Sequence, residues 1–203
     1  MPKPVIVGIA GGSASGKSTL AAALAGALEQ SQDWRVVVVP TDRYVQPDPV
    51  RGPTFFSPSA SEDMFDWNHP DSVDWARLTN ELQALIAASD APHAVLVEGL
   101  MVLHEPTLRS LLDLRLFVEL EADVRALRRL LRNMQRPDMN RDPVFIANYY
   151  RESARVGHAR YVEPSRVHAD LIVRGDAAWE RLRPMLVAVV LDCARRIAQQ
   201  GIQ

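Results

Sequence analysis

The stretch that most constrains this chain lies at its start: Val5-Ile6-Val7-Gly8-Ile9-Ala10-Gly11-Gly12-Ser13-Ala14-Ser15-Gly16-Lys17-Ser18-Thr19-Leu20. An apolar, β-branched run reads as a buried strand, a glycine-rich turn follows, and an Ala/Leu-rich helix begins. Gly11, Gly16, Lys17 and Ser18 fit the spacing G-x-x-x-x-G-K-[ST]. In such a loop, glycines allow tight wrapping, so that backbone N–H groups converge on phosphate oxygens, and the helix offers its positive end to the same anion. Residues 11–19 (Gly11, Gly12, Ser13, Ala14, Ser15, Gly16, Lys17, Ser18, Thr19) are therefore the expected triphosphate cradle. Lys17 would reach the β- and γ-phosphates, and Ser18 would offer its hydroxyl to Mg²⁺. Of 23 basic residues, only Lys3 and Lys17 are lysines. A chain that uses arginine almost everywhere keeps a slim point charge here, where a guanidinium would not fit.

The rest of the chain alternates strands and helices. Trp34–Val39 is a continuous apolar run, as in a parallel strand buried on both faces. His93–Val97, Leu114–Leu120 and Ala169–Val173 are further strands. Helices are expected at Leu20–Leu28, after a cap at Asp71 or Ser72, at Pro106–Leu112, at Glu121–Gln135, at Val144–Arg160 and near the C-terminus, where Pro184 should sit in a first turn or kink the helix. Residues 43–70 carry Pro47, Pro49, Pro53, Pro58 and Pro70 and read as a long loop covering a substrate. The expected fold is α/β: three layers of the P-loop NTPase type, about five parallel strands with helices on both faces, and an Arg-rich lid. One domain over residues 1–203 suffices, with the lid at about 125–143 and the substrate loop at about 43–70.

Ligands of such sheets bind at the carboxyl ends of the strands. There the sequence offers Asp42 and Glu98. Asp42 could accept a proton from a hydroxyl attacking the γ-phosphate, or merely cap its own loop. Glu98 suits a metal partner, making Ser18 and Glu98 the expected Mg²⁺ residues. Arg125, Arg128, Arg129 and Arg132 recur at helical spacing, followed by Arg136 and Arg141, with no acid between Val124 and Pro137. An unpaired arginine row suits a lid closing on polyphosphate; the alternative is a surface helix paired to acids such as Glu119, Glu121 or Asp123. Arg128 and Arg129 cannot both face the phosphates. His69 lies where function is conceivable, whereas His104, His158 and His168 follow no metal-ligand spacing and read as structural or surface residues.

Composition excludes other classes. Net charge is −2, which argues against general binding to nucleic acid or anionic membrane. No apolar run approaches a membrane span, and no signal peptide is visible. A single cysteine, Cys193, forbids an internal disulfide and fits a reducing, cytoplasmic setting. A homo-oligomer stays open. No lysine after Lys17 can supply the N-K-x-D of guanine recognition.

These motifs together resemble the uridine kinase / phosphoribulokinase group of P-loop kinases, over nearly the whole chain. Gly8–Ser18 looks like the uridine kinase loop, Trp67-Asn68-His69-Pro70-Asp71 resembles F-D-H-P-D, and Leu96-Val97-Glu98-Gly99 resembles the E-G strand end. Asp123–Arg132 is similar to the lid helix, and Tyr161-Val162-Glu163-Pro164-Ser165 with Ala169-Asp170-Leu171-Ile172 resembles F-V-E-P-[ST] and the last strand. Asp42-Arg43-Tyr44-Val45-Gln46-Pro47 also resembles D-x-F-F-x-P of nicotinamide riboside kinases. The resemblance implies ATP and Mg²⁺, catalysis by Asp42, Lys17 and Arg132, ATP contacts from Arg128 and Arg132 besides residues 11–19, and an acceptor alcohol held by Asp42, Tyr44, Asn68, His69 and Arg136. Two departures touch the acceptor. The pyrimidine-reading insert before the E-G strand is absent, since Ala87-Ala88-Ser89-Asp90-Ala91-Pro92 runs straight into it. The family's sugar-binding Asp is Asn68. A nucleoside 5′-hydroxyl is the leading acceptor, with nicotinamide riboside and other sugar or vitamin alcohols as rivals. From another class, a P-loop regulator or an NTPase without an acceptor remains an alternative.

Overall fold

The computed structural model describes residues 3–45 and 52–200. The segment 46–51, with Gln46, Pro47 and Pro49 of the expected substrate loop, lies outside the described residues, as do residues 1–2 and 201–203. A five-stranded parallel sheet has the order β2-β5-β1-β6-β7: β1 (Val5–Gly11), β2 (Val36–Pro40), β5 (Ala94–Gly99), β6 (Leu114–Glu119) and β7 (Leu171–Arg174). β1 lies centrally, with Val7 beside both Leu96 and Leu114, and all seven of its residues are buried. Alternate side chains feed two cores. On one face Val5, Val7 and Ile9 meet α1 (Lys17–Gln32) and the C-terminal helix α8 (Trp179–Gln200). On the other, Ile6 and Ala10 join Leu78 and Leu82 of α2 (Trp75–Ala87) and Leu108 of α3 (Pro106–Arg109). Helices on both faces satisfy a sheet whose strands are apolar throughout.

Three expectations change. First, residues 43–70 are not one irregular loop. They contain an antiparallel hairpin, β3 (Thr54–Ser57) with β4 (Glu62–Phe65), turned through Ser61 in the left-handed region (φ 57°). Second, α2 is capped not by Asp71 or Ser72, which lie in a preceding 3₁₀ turn, but by Asp74, whose carboxylate accepts from Arg77 N at 2.9 Å. Third, helical structure after α4 (Ala122–Gln135) runs from Pro143 to Ser165 through α5 (Pro143–Tyr149), a π-helical stretch (Tyr150–Ala154), α6 (Arg155–Gly157), a second π-helical stretch (His158–Val162) and α7 (Glu163–Ser165). Pro184 is accommodated inside α8 beyond its first turn. Among the described residues no helix is long and apolar enough to cross a membrane. Cys193 is buried in the first core.

Candidate active site

β1 ends and the chain turns through Ala14 (φ 62°) and Gly16 (φ 102°) before α1 begins at Lys17. Gly16 occupies the N-cap in the left-handed region, where a side chain would be strained. No side chain caps α1, so its leading N–H groups are free to meet an anion. Ser18 Oγ donates to Glu98 Oε1 at 3.0 Å, which joins the loop to the end of β5. Glu98 is only 7% exposed, and burial raises its pKa against the pull of the Lys17 ammonium and the Ser18 hydroxyl. Lys17 is shifted in its turn: burial lowers its pKa, while Glu98 and Asp42 push it back up. Asp42 lies in the 3₁₀ turn Thr41–Tyr44 directly after β2, is exposed, and its carboxylate makes no hydrogen bond or ion pair with the described residues. Its charge is felt by Lys17, Glu98, Arg132 and Arg136. The carboxyl ends of β1, β2 and β5 thus bring one ammonium and two carboxylates together beneath the arginine helix.

The arginine row divides by helical phase. Arg129 faces inward: its Nη1 donates to Ser13 Oγ at 2.9 Å and its guanidinium lies over the Tyr149 ring at 5.5 Å. Burial lowers its pKa. Arg132 is pulled down by burial and by Arg136, and pulled up by Asp42. Arg128 points outward and donates to Gly175 O at 3.2 Å, at the exit of β7. Arg136 pairs with Asp138 at 2.5 Å, so an acid just past the row takes it up. Arg125 is buried behind the loop, donating through Nε to Leu120 O at 3.0 Å and lying against Gly12. The sequence placed Arg129 in the row but left open whether it or Arg128 faces the loop, and Gly175 was not singled out. Nothing in the local sequence signalled Gly175.

Several expected acceptor residues are engaged elsewhere. Tyr44 is buried, and its hydroxyl donates to Glu81 Oε2 at 2.7 Å; burial first and this bond second raise its pKa to about 12. Asn68 is 4% exposed and donates through Nδ2 to Ser153 Oγ at 2.8 Å. Ser153 Oγ in turn donates to Asp66 Oδ1 at 2.8 Å, which also accepts from Asn68 N at 3.0 Å. His69 Nδ1 accepts from Asp71 N, and its ring meets the edge of Tyr161 at 5.1 Å. Tyr149 joins this network through its hydroxyl, which accepts from Asn68 Nδ2 at 3.4 Å, whereas the free carboxylate of Asp42 and the rings of Phe55, Phe65, Trp67 and Phe145 lie outside it; Phe55 meets Tyr149 edge-on at 5.7 Å.

A hard cation fits the Ser18–Glu98 pair, because a buried carboxylate raised in pKa by desolvation gains from a neighbouring positive charge. Among the described residues no cluster of three or more His, Cys, Asp or Glu could hold a metal unaided. A cation here would share its shell with phosphate oxygens and water.

The comparisons with known proteins agree with this architecture. Residues 86–177 match the Phosphoribulokinase / Uridine kinase family. A uridine kinase of Chloroflexus aggregans is 32% identical over 193 residues, spanning 85% of this chain and 87% of the relative. The chain belongs to the phosphoribulokinase / uridine kinase family. A uridine kinase of Clostridium botulinum (strain Okra / Type B1) is 29% identical over 194 residues, covering 85% of this chain and 89% of the relative. In fold, the chain is similar to a candidate fructose transport system kinase from Silicibacter sp. TM1040 (TM-score 0.63, 21% identity, 85% of this chain and 91% of that one). It is also similar to a possible uridine kinase from Bacillus stearothermophilus (TM-score 0.57, 16% identity, 85% and 89%). As a member of this family, the chain is a P-loop kinase, an ATP-dependent phosphotransferase with an alcohol group as acceptor.

Proposed function

We propose that the chain transfers the γ-phosphate of ATP to the 5′-hydroxyl of a nucleoside. The observation that carries the reading is the free carboxylate of Asp42, set in one electrostatic cluster with Lys17, Glu98 and Arg132 at the carboxyl edge of the sheet. Gly11–Thr19 cradle the triphosphate with their N–H groups, and Lys17 meets its terminal oxygens. Ser18 and Glu98 hold Mg²⁺, which when bound neutralises phosphate charge. The acceptor oxygen attacks the γ-phosphorus as the bond to the β,γ-bridging oxygen breaks. The hydroxyl proton passes to Asp42, and ADP leaves. Arg129 and Arg132 close over the transferring group and exclude water, which would otherwise hydrolyse ATP. Arg128, beside Gly175, lies toward the nucleotide's far end. The whole chain acts as one domain in the cytoplasm, with residues 125–143 as lid and 43–70 as acceptor cover, binding a small alcohol and no nucleic acid or membrane.

One observation favours a second acceptor. The link from α2, ending at Ala87, to β5, starting at Ala94, leaves no room for a pyrimidine-reading insert. Nicotinamide riboside or another sugar or vitamin alcohol is therefore the rival. The test is MgATP with a panel of nucleosides, nicotinamide riboside, pantothenate and sugar alcohols, following ADP and the mass of the product. A 5′-monophosphate of a pyrimidine nucleoside supports the first reading, and nicotinamide mononucleotide supports the second. ADP release that is independent of any alcohol would replace both with an NTPase or a nucleotide-binding regulator.

A further inference from the structure

Behind the phosphate loop, on the side away from Asp42, a cavity of about 430 Å³ opens between the end of β6, the first turn of α4 and the helical run that follows the lid. That volume lies within the range of small-ligand pockets, about 300–1,000 Å³. Arg125 lines it and is 5% exposed. Apart from the Nε bond to Leu120 O, its guanidinium makes no hydrogen bond or ion pair with the described residues, so both terminal nitrogens are unspent. A guanidinium withdrawn from water calls for an anion. Two of the three carboxylates in the lining are committed: Glu119 pairs with Arg166 at 2.9 Å, and Glu163 pairs with His158 Nε2 at 3.3 Å and Arg166 at 3.9 Å. Glu121, the N-cap residue of α4, is exposed and makes no capping bond to that helix. Of the leading N–H groups of this fourteen-residue helix, that of Val124 is taken by Asp123 Oδ1 at 2.8 Å, and those of Ala122 and Asp123 are left open beside the cavity. His158, also in the wall, has a buried Nδ1 with no partner.

We infer that this cavity is a binding site for one compact oxyanion, a phosphate or a carboxylate, held by the Arg125 fork and the α4 N-terminus. A planar fork plus N–H donors matches either oxyanion. The site is separate from the triphosphate cradle but touches it. Arg125 lies so close to Gly12 that a Cβ there would come within 2.5 Å of Nη1. An anion that fixes Arg125 also fixes the first residue after Gly11 in the phosphate loop. The inference stands whichever alcohol the kinase phosphorylates.

The test fills the phosphate loop first. The full chain, saturated with Mg²⁺ and β,γ-imido-ATP, is titrated calorimetrically with inorganic phosphate and, separately, with acetate. One further equivalent of at least one anion is expected. Uptake of phosphate alone marks a phosphorylated or inorganic source, and uptake of acetate alone marks a carboxylate. Arg125→Met should weaken that binding at least tenfold. Arg125→Lys, which keeps the charge but not the fork, serves if Arg125→Met does not fold, and should also weaken binding. No anion bound with the loop filled, or equal affinity in the folded Arg125 variant, overturns the proposal.

Discussion

The phosphate half and the acceptor half of the site are built in different ways. The phosphate half is local: nine successive residues, Gly11–Thr19, make the cradle, and one long-range bond, Ser18–Glu98, ties it to the sheet. Its charged groups are left free or set against one another, as Lys17, Asp42 and Glu98 are. The acceptor half is assembled from distant pieces. The β3–β4 hairpin, Asp66, Asn68, Tyr149 and Ser153 come from segments more than 80 residues apart and satisfy one another internally. A free charge is suited to act on a substrate, whereas a closed hydrogen-bond network is suited to hold a shape. The phosphate half should therefore respond to mutation in turnover, and the acceptor half in affinity and stability.

The sharpest way to break this contrast is Asp42→Asn. It should lower kcat by about 10²- to 10⁴-fold while leaving the KM for ATP within a few-fold, measured as ADP formation. Unchanged turnover would remove Asp42 from the chemistry. Next, Glu98→Gln should raise the Mg²⁺ needed for half-maximal rate by about 10- to 100-fold, a range set by losses at metal-supporting residues. An unaltered Mg²⁺ titration would place the cation elsewhere.

In the other half, Ser153→Ala removes the hydroxyl shared by Asp66 and Asn68. It should cost about 1–3 kcal/mol in unfolding experiments, because buried polar groups lose their partner, and raise the acceptor KM with little change for ATP. A change confined to ATP kinetics would erase the distinction between the halves. The smallest effect is expected at Tyr44. Its pKa is raised from an ordinary value near 10 to about 12, so the folded chain holds that proton more tightly than the unfolded one. The contribution is complete below about pH 10 and is lost as pH rises through about 12. Tyr44→Phe should flatten the alkaline limb of the stability profile and, because the same bond holds the Glu81 carboxyl below its ordinary pKa, also weaken the acid limb.

The same contrast explains what could be read in advance. The five strands were legible because buried parallel strands are runs of apolar residues, as in Val36–Val39 and Ala94–Val97. The cradle was legible because its parts are contiguous. The hairpin was not: Thr54–Ser57 and Glu62–Phe65 are short and half-exposed, and Pro58 and the serines around the turn suggest a plain loop. Arg125 could not be told from Arg129 by composition, since only their angle on the helix separates a guanidinium behind the loop from one over it. The bond from Asn68 to Ser153 was not legible, because the two lie 85 residues apart.

The two π-helical stretches between Tyr150 and Val162 bear on how the halves are connected. A π turn carries one residue more than an α turn, and that residue advances everything downstream by about 100° around the axis. Ser153, on the early part of the run, is directed to the acceptor network, and His158 and Glu163, further along, to the cavity behind the phosphate loop. A regular α-helix of the same sequence would present these residues in a different rotational order. Deleting one residue between Arg155 and His158 should leave Ser153 on Asp66 while swinging His158 and Glu163 off their wall. The spacing of the chain here acts as a phase setting: a length change of a single residue would uncouple two sites that no single side chain joins.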